Sequence, residues 1–483
     1  MLLSKLTGEK TKGAALEIEG LTLDSRAVKP GFLFAAVPGE KTDGIKFIKE
    51  AVKKGAVAVL TDIGDEINVK GAVHISDPNP RAAFAKMVAA FYGQQPKTMA
   101  AITGTNGKTS AAHFVRQLWA FMGVKSGSIG TLGVVSEGLN YSIGLTTPEP
   151  VDLHFALKEM VNHKVSHAVI ETSSHGLSQF RVDGIKFNIA GFTNLTQDHM
   201  DYHADEENYF AAKRRLFDEL LRDKGTGVIN ADNPFGKRLK ASLEERGVKT
   251  LTVGRRAADL TLHESTPAKG GQKLVFSFKG KKHQIQFPVV GSFQGDNVML
   301  AAAIVIASGF EAEKVFARLY YLAGVPGRME KVADTPYGGE VYIDYAHTPD
   351  GLSNALTSIR QNTFGKLHLI FGCGGNRDQG KRSKMGAIAE TQADFVYVAD
   401  DNPRFENPMD IRQEILVACP TGQEFVDRGD AIRFGVRALK QDDVLIITGK
   451  GNETGQIIGD KVLPFSDKDV VRETISAMMK EVA

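Results

Sequence analysis

The chain has 483 residues, enough for about three domains of ~150 residues each. Its 42% hydrophobic and 24% charged content is that of a globular protein, and a net charge of +2 leaves no basic surplus to suggest a nucleic acid or an anionic membrane as partner. Two cysteines, Cys373 and Cys419, exclude a disulfide framework and a cysteine-built zinc centre; with no signal-like N-terminal core and no run of ~20 apolar residues, a cytoplasmic protein without membrane insertion is expected.

Residues 1 to about 97 alternate short apolar runs (Leu21 to Asp24, Gly31 to Val37, Gly55 to Thr61, Ala72 to Ile75) with helical patterns at Gly44 to Lys54 and Pro80 to Tyr92. That alternation reads as a small α/β domain. Asp24-Ser25-Arg26 lies at a strand end, and Glu40-Lys41-Thr42 lies in a polar loop; both suit hydrogen bonding to a polar ligand, though turn chemistry alone accounts for such residues. Gly93-Gln94-Gln95-Pro96 reads as a linker.

A buried strand is expected over Thr98 to Thr103, followed by Gly104-Thr105-Asn106-Gly107-Lys108-Thr109-Ser110 and a helix over Ala111 to Met122. A small-residue turn between a strand and a helix cradles phosphate. Its N–H groups point outward, the helix start is positive, Lys108 adds a full charge, and the Thr109 hydroxyl suits Mg²⁺. The strict phosphate-loop pattern has a glycine where Ile102 stands, so this is a shortened variant.

Strand-like runs recur at Lys125 to Ile129, His167 to Glu171, Ile189 to Thr193 and Gly227 to Asn230, the pattern of a largely parallel sheet covered by helices. Ligands of such sheets bind beyond the carboxyl ends of the strands. Glu171-Thr172-Ser173-Ser174-His175-Gly176 and the segment Thr193 to His203 fall there. Magnesium prefers oxygen, so Glu171 is the better candidate ligand and His199 the less usual one. Leu251 to Val253, Leu260 to His263, Lys273 to Phe278 and His283 to Phe287 read as short antiparallel strands of a flanking sheet, and Val298 to Ser308 as a helix. From about Arg328 a second doubly wound sheet is expected. Its strands at Val341 to Tyr345, Lys366 to Phe371, Phe395 to Ala399 and Asp443 to Thr448 each end in a polar or glycine-containing loop.

These motifs, with Tyr209-Phe210-Ala211-Ala212-Lys213, Gly327-Arg328-Met329-Glu330 and Asp344-Tyr345-Ala346-His347-Thr348-Pro349, stand in the order found in the Mur ligases. The chain resembles that family, the ATP-dependent amino-acid-adding enzymes of peptidoglycan synthesis. Thr146-Thr147-Pro148, Ser173 with Gln179 and Arg181, and Gly372 to Asp378 resemble the branch adding the third stem-peptide residue to UDP-N-acetylmuramoyl-L-alanyl-D-glutamate. The resemblance implies three α/β domains: a small UDP-sugar-binding domain over 1–97, a central ATP-binding phosphate-loop domain over 98–327, and a Rossmann-like amino-acid-binding domain over 328–483.

It also implies an acyl-phosphate mechanism with ATP and Mg²⁺. Lys108 would contact the phosphates with the loop Gly104 to Ser110. Thr109 and Glu171 would hold one magnesium, and His199 and a carbamylated Lys213 would stand at a second. Asn297 would meet the adenine, and Arg328 and Asp344 the ribose and phosphates. Ser25, Glu40, Lys41 and Thr42 would hold the uridine diphosphate, and Thr146, Thr147, Ser173, Gln179 and Arg181 the sugar-peptide. Arg377, Asp401, Asn402, Pro403, Arg404, Gly449 and Glu453 would form the amino-acid pocket. Members with Asp-Asn-Pro-Arg, as here at 401–404, add meso-2,6-diaminopimelate. A guanidinium grips the distal carboxylate that lysine lacks.

Asn452, Gln294 and Asn376 depart from the residues common in the family. Adding L-lysine or another diamino acid, folylpolyglutamate synthesis, and a non-catalytic nucleotide-binding scaffold are the alternatives. A monomer handling small-molecule substrates is expected, with closure bringing the central and C-terminal domains together.

Overall fold

The computed structural model describes the chain apart from residues 9–12, 40–42, 65–69, 201, 269–270 and 483. Glu40, Lys41 and Thr42 therefore lie outside the described residues.

The N-terminal sheet is four parallel strands in sequence order: β1 (Gly20–Thr22), β2 (Phe32–Ala35), β3 (Ala58–Asp62) and β4 (Val73–Asp77). Successive side chains of a strand point to opposite faces. Leu33 and Ala35 accordingly enter one apolar cluster with Leu60 and Phe84, while Phe34 and Ala36 enter another with Val59 and Ile48. With both faces covered, the strand reads as an unbroken apolar run. The helix Pro80–Tyr92 ends where its sequence says it should. Asn79 accepts from the Ala82 N–H at 3.1 Å, Pro80 fills the first position, and Gly93 stops the helix at φ +67°.

The central sheet has eleven described strands. In chain order they are β5 (Thr98–Thr103), β6 (Ser126–Gly130), β7 (Gly133–Ser136), β8 (Leu139–Tyr141), β9 (His167–Glu171), β10 (Phe187–Phe192), β11 (Leu221–Asn230), β12 (Lys249–Gly254), β13 (Leu260–Ala268), β14 (Gly271–Phe278) and β15 (Lys281–Phe287). Their order across the sheet is β15-β14-β13-β12-β11-β10-β5-β9-β6-β7-β8. From β13 to β6 all neighbours are parallel, and antiparallel hairpins extend both edges. Ala100 and Ile102 of β5 pack under the helices Lys108–Phe121 and Ser292–Ala307; Met99 and Ala101 face the helix Pro150–Asn162.

One expectation needs correction here. The strands between 250 and 290 flank the central sheet as its continuous edge, but they are not all antiparallel. β12 pairs parallel to β11 along five residues, and β12 overlaps β13 in parallel at Val253–Leu260 and Gly254–Thr261. The Asp259 carboxylate accepts from the Thr252 N–H at 2.8 Å and hydroxyl at 2.6 Å, which ties the short connection back and sets this stagger.

The C-terminal sheet comprises β16 (Glu330–Asp334), β17 (Glu340–Ile343), β18 (Leu367–Phe371), β19 (Phe395–Ala399), β20 (Gln423–Phe425) and β21 (Val444–Ile447), ordered β16-β17-β21-β18-β19-β20, with only β16 antiparallel to its neighbour. A separate hairpin, β22 (Gly455–Ile458) and β23 (Lys461–Pro464), lies against residue 404. No helix among the described residues is long and apolar enough to cross a membrane.

Candidate active site

The turn after β5 depends on two glycines. Gly104 has φ +146°, and a Cβ there would fall 1.8 Å from Thr193 Oγ1; Gly107 has φ +87°, and a Cβ there would fall 2.2 Å from Asn297 Oδ1. Only glycine permits both the left-handed backbone and the close approach. The turn hands directly into the helix beginning at Lys108, three residues before the expected start. Thr109 Oγ1 donates to Glu171 Oε2 at 2.8 Å, and Arg328 Nη2 donates to that hydroxyl at 3.1 Å. Glu171, at the end of β9, also accepts from the Thr131 N–H at 2.9 Å. Burial pushes its carboxyl above the usual range against the pull of Thr109 and Lys108.

Lys108 Nζ donates to the carbonyls of Gly104 and Thr105 at 2.9 and 2.8 Å. Lys213 is almost wholly buried near the end of the helix Glu206–Arg215, where a π-turn over 216–220 follows. Its Nζ donates to Gly104 O at 2.9 Å and sits 4.2 Å from the Tyr209 ring centre. Burial, then the charge of Lys108, hold its amine well below the ordinary lysine range. His199 has φ +58° and stands 3.4 Å from Asp198 Oδ2, with His347 of the C-terminal part 3.8 Å from the same oxygen. Burial opposes the Asp198 charge, but His199, His347, Lys381 and Lys108 outweigh it and bring its carboxyl to about 2. Burial likewise lowers His199 to about 3, against Asp198.

Among the described residues no three His, Cys, Asp or Glu cluster as a complete metal cage. The Glu171 carboxylate and the Thr109 hydroxyl bonded to it are oxygen ligands that could hold a divalent cation.

A cavity of about 1380 Å³ runs from the N-terminal sheet past the central sheet to the C-terminal loops. Ser25 lines one end; Thr146, Thr147, Ser173, Gln179 and Arg181 line the next stretch. Thr147 Oγ1 meets the Glu171 carbonyl at 2.9 Å and Ser173 Oγ at 3.1 Å, while Arg181 donates to Thr147 O and Gln179 Oε1 at 2.8 and 2.6 Å. Asp198 and His199 lie in the middle, and Arg377, Asp401, Asn402, Arg404, Gly449 and Glu453 line the far end. Pro403 is buried beneath this end rather than lining it. The central and C-terminal parts already touch, since Asn106 Nδ2 donates to Asp350 Oδ2 at 3.1 Å.

None of the ten expected nucleotide residues, Gly104 to Ser110, Asn297, Arg328 and Asp344, lines this cavity. Asn297 packs on Gly107 and donates to Gln294 Oε1 at 3.0 Å. Asp344 spends both oxygens on the backbone, accepting from the N–H groups of Met329 and Ala346 at 2.7 and 2.8 Å. It positions the loop carrying Arg328, whose guanidinium lies 4.2 Å from the Tyr345 ring centre. Sequence reasoning passed over Thr131, Asp198, His347, Lys381 and Lys450. Of these, Asp198, His347, Lys381 and Lys450 lie in the polar loops at the strand ends, but Lys450 between two glycines gives no signal of burial.

Three family models match in succession: the Mur ligase family catalytic domain over residues 17–105, the Mur ligase middle domain over 102–305, and the Mur ligase glutamate ligase domain over 327–451. The UDP-N-acetylmuramoyl-L-alanyl-D-glutamate--2,6-diaminopimelate ligase of Zymomonas mobilis is 44% identical over 460 residues, covering 94% of both chains. The chain is a Mur ligase. The ligase of the same name from Agrobacterium fabrum is 45% identical to this Mur ligase, over 96% of this chain and 94% of its own. A solved structure bearing that name covers 99% of both chains, with TM-score 0.70 and 28% identity. The Thermotoga maritima MurF ligase in complex with ADP shares the fold of this Mur ligase, with TM-score 0.65, 16% identity and coverage of 97% and 99%.

Proposed function

We propose that this Mur ligase joins meso-2,6-diaminopimelate to UDP-N-acetylmuramoyl-L-alanyl-D-glutamate, converting ATP to ADP and phosphate, as a cytoplasmic step of peptidoglycan synthesis. The observation that carries this reading is the single cavity linking Thr146, Ser173 and Arg181, through Asp198 and His199, to Arg404 and Glu453. An acid activated in the middle of that cavity meets an amine held at the far end.

A D-glutamyl carboxylate oxygen attacks the γ-phosphorus, and ADP departs with the bridging oxygen. The amine of the amino acid then attacks the acyl carbon, the bond to the phosphate oxygen breaks, and the amine proton is lost. Lys108 and the N–H groups at the start of its helix bind the phosphates as negative charge shifts toward ADP. Arg328, stacked on Tyr345, reaches the same place from the C-terminal side. Thr109 and Glu171, and His199 with a Lys213 carbamate, are the groups that would hold magnesium, which would neutralise phosphate charge. Ser25 and the residues from Thr146 to Arg181 hold the UDP-sugar-peptide. At the far end, Arg404 and Arg377 face the distal carboxylate of diaminopimelate, and Glu453 faces its ammonium.

Substrate labelled with ¹⁸O in the D-glutamyl carboxylate tests the chemistry. One label should appear in the phosphate released. Unlabelled phosphate would overturn the acyl-phosphate route.

A further inference from the structure

Lys450 lies behind the far end of the cavity, against the lining residues Asn402 and Glu453, with its side chain 0% exposed. Gly449 at φ +106° and Gly451 at φ +55° flank it. Its loop is pinned from behind: Arg428 Nη2 donates to Thr448 O at 2.8 Å and pairs with the fully buried Asp467. Lys450 Nζ donates to Asn402 Oδ1 at 3.0 Å and to Glu453 Oε2 at 3.1 Å. Asn402 Nδ2 donates to that same Glu453 oxygen at 3.0 Å, and the Ile457 N–H donates to Asn402 Oδ1 at 2.9 Å. Two donors on Oδ1 fix which way the Asn402 amide points. Glu453 Oε2 therefore takes both donors, and Oε1 takes neither.

We propose that Lys450 is a specificity-determining positioning residue, which orients Glu453 and offsets part of its charge so that the pocket accepts a zwitterionic side-chain terminus over a lone cation. The inference rests on the proposed function and names a determinant that acts through Glu453 rather than on the substrate. Around the far end, Arg377, Lys381, Arg404 and Lys450 are set against Asp378, Asp401 and Glu453. A terminus carrying one ammonium and one carboxylate brings no net charge and satisfies Glu453 and the arginines together. A lysine side chain brings one more positive charge into a site already holding four against three negative. Taking the Lys450 charge away leaves Glu453 free to attract that cation, and leaves its carboxylate without a buried partner to fix its direction.

The test measures ADP release by the full chain with ATP, UDP-muramoyl-dipeptide and either meso-diaminopimelate or L-lysine, for the wild type, Lys450→Met, Glu453→Gln and the double variant. Lys450→Met should lower the ratio of kcat/KM for diaminopimelate over lysine by about tenfold or more. The change should come through KM for the amino acid, with KM for ATP unmoved. In the Glu453→Gln background the same change should leave the ratio where Glu453→Gln put it, because the coupling partner is gone. A scaffold role lowers kcat/KM for both amino acids together and keeps the ratio. That result, or an equal effect in both backgrounds, overturns the proposal. If Lys450→Met does not fold, Lys450→Gln, polar but uncharged, gives the same measurement. A wild type that prefers lysine contradicts the proposed function itself, whatever the variants do.

Discussion

Lys108 and Lys213 donate to one and the same oxygen, the carbonyl of Gly104, each at 2.9 Å. Two ammonium groups brought to a single acceptor in a desolvated site repel each other. Burial, then Lys108, accordingly draw the Lys213 amine down. A neutral amine is the form that adds carbon dioxide. With ¹³C-bicarbonate the wild type should show a carbamate carbon resonance that Lys213→Met lacks. Lys213→Met should lose about 10²–10³-fold in kcat while still binding nucleotide. A full-rate Lys213→Met enzyme would remove Lys213 from the chemistry.

Gly107→Ala should abolish nucleotide binding and cost more stability than Gly123→Ala. Both positions have left-handed backbones, φ +87° and +83°, but a Cβ at 107 meets Asn297 Oδ1 at 2.2 Å while one at 123 meets nothing within 4 Å. Gly123→Ala should cost only backbone strain, about 1 kcal/mol. Chemical denaturation of both variants, with nucleotide binding by calorimetry, checks the difference.

Stability should fall with pH well above the carboxylate range. Burial lowers His113 and His154 to about 4, whereas in the unfolded chain each titrates near 6.5. Between about pH 6.5 and 4 the unfolded state binds more protons than the folded one, so stability is lost as pH falls through that window. His154→Gln should flatten the slope by one proton, about 1.4 kcal/mol per pH unit. Urea titrations at pH 7, 6 and 5 measure it; parallel curves for wild type and variant would contradict the assignment.

Arg404→Met should lower kcat/KM for meso-diaminopimelate by about 10²-fold and leave turnover of L-lysine unchanged or raised. Arg404 Nη1 donates to Gly375 O at 2.9 Å, and the residue has φ +53°, so its guanidinium is held at the cavity wall before any ligand arrives. Steady-state kinetics with both amino acids decides; an equal fall for both would make Arg404 a structural residue.

Much of this architecture was legible in the chain. The helix Pro80–Tyr92 and the strands β5, β9 and β19 fall on the residues expected, because proline and glycine punctuate the helix and both faces of those strands are buried. The hairpin strands β7, β8, β22 and β23 were not legible, being three or four residues long and, apart from Gly133 and Val134, half-buried or exposed. Within the site, the glycines and charges of the phosphate loop announced themselves through spacing. The burial of Lys450 did not, since a lysine between glycines looks like a solvated turn until Asn402 and Glu453 arrive from distant stretches. Nor did the inward use of Asp344, whose carboxylate serves the backbone under the site.

The most direct measurement is ADP formation by the full chain with UDP-N-acetylmuramoyl-L-alanyl-D-glutamate, comparing meso-diaminopimelate with L-lysine at equal concentration. The expected result is ADP release dependent on the dipeptide substrate and at least about 100-fold more efficient with diaminopimelate, since the distal carboxylate gains a charge-assisted bond that lysine cannot make. Equal or faster release with lysine, or release that needs neither substrate, would contradict the reading of the cavity.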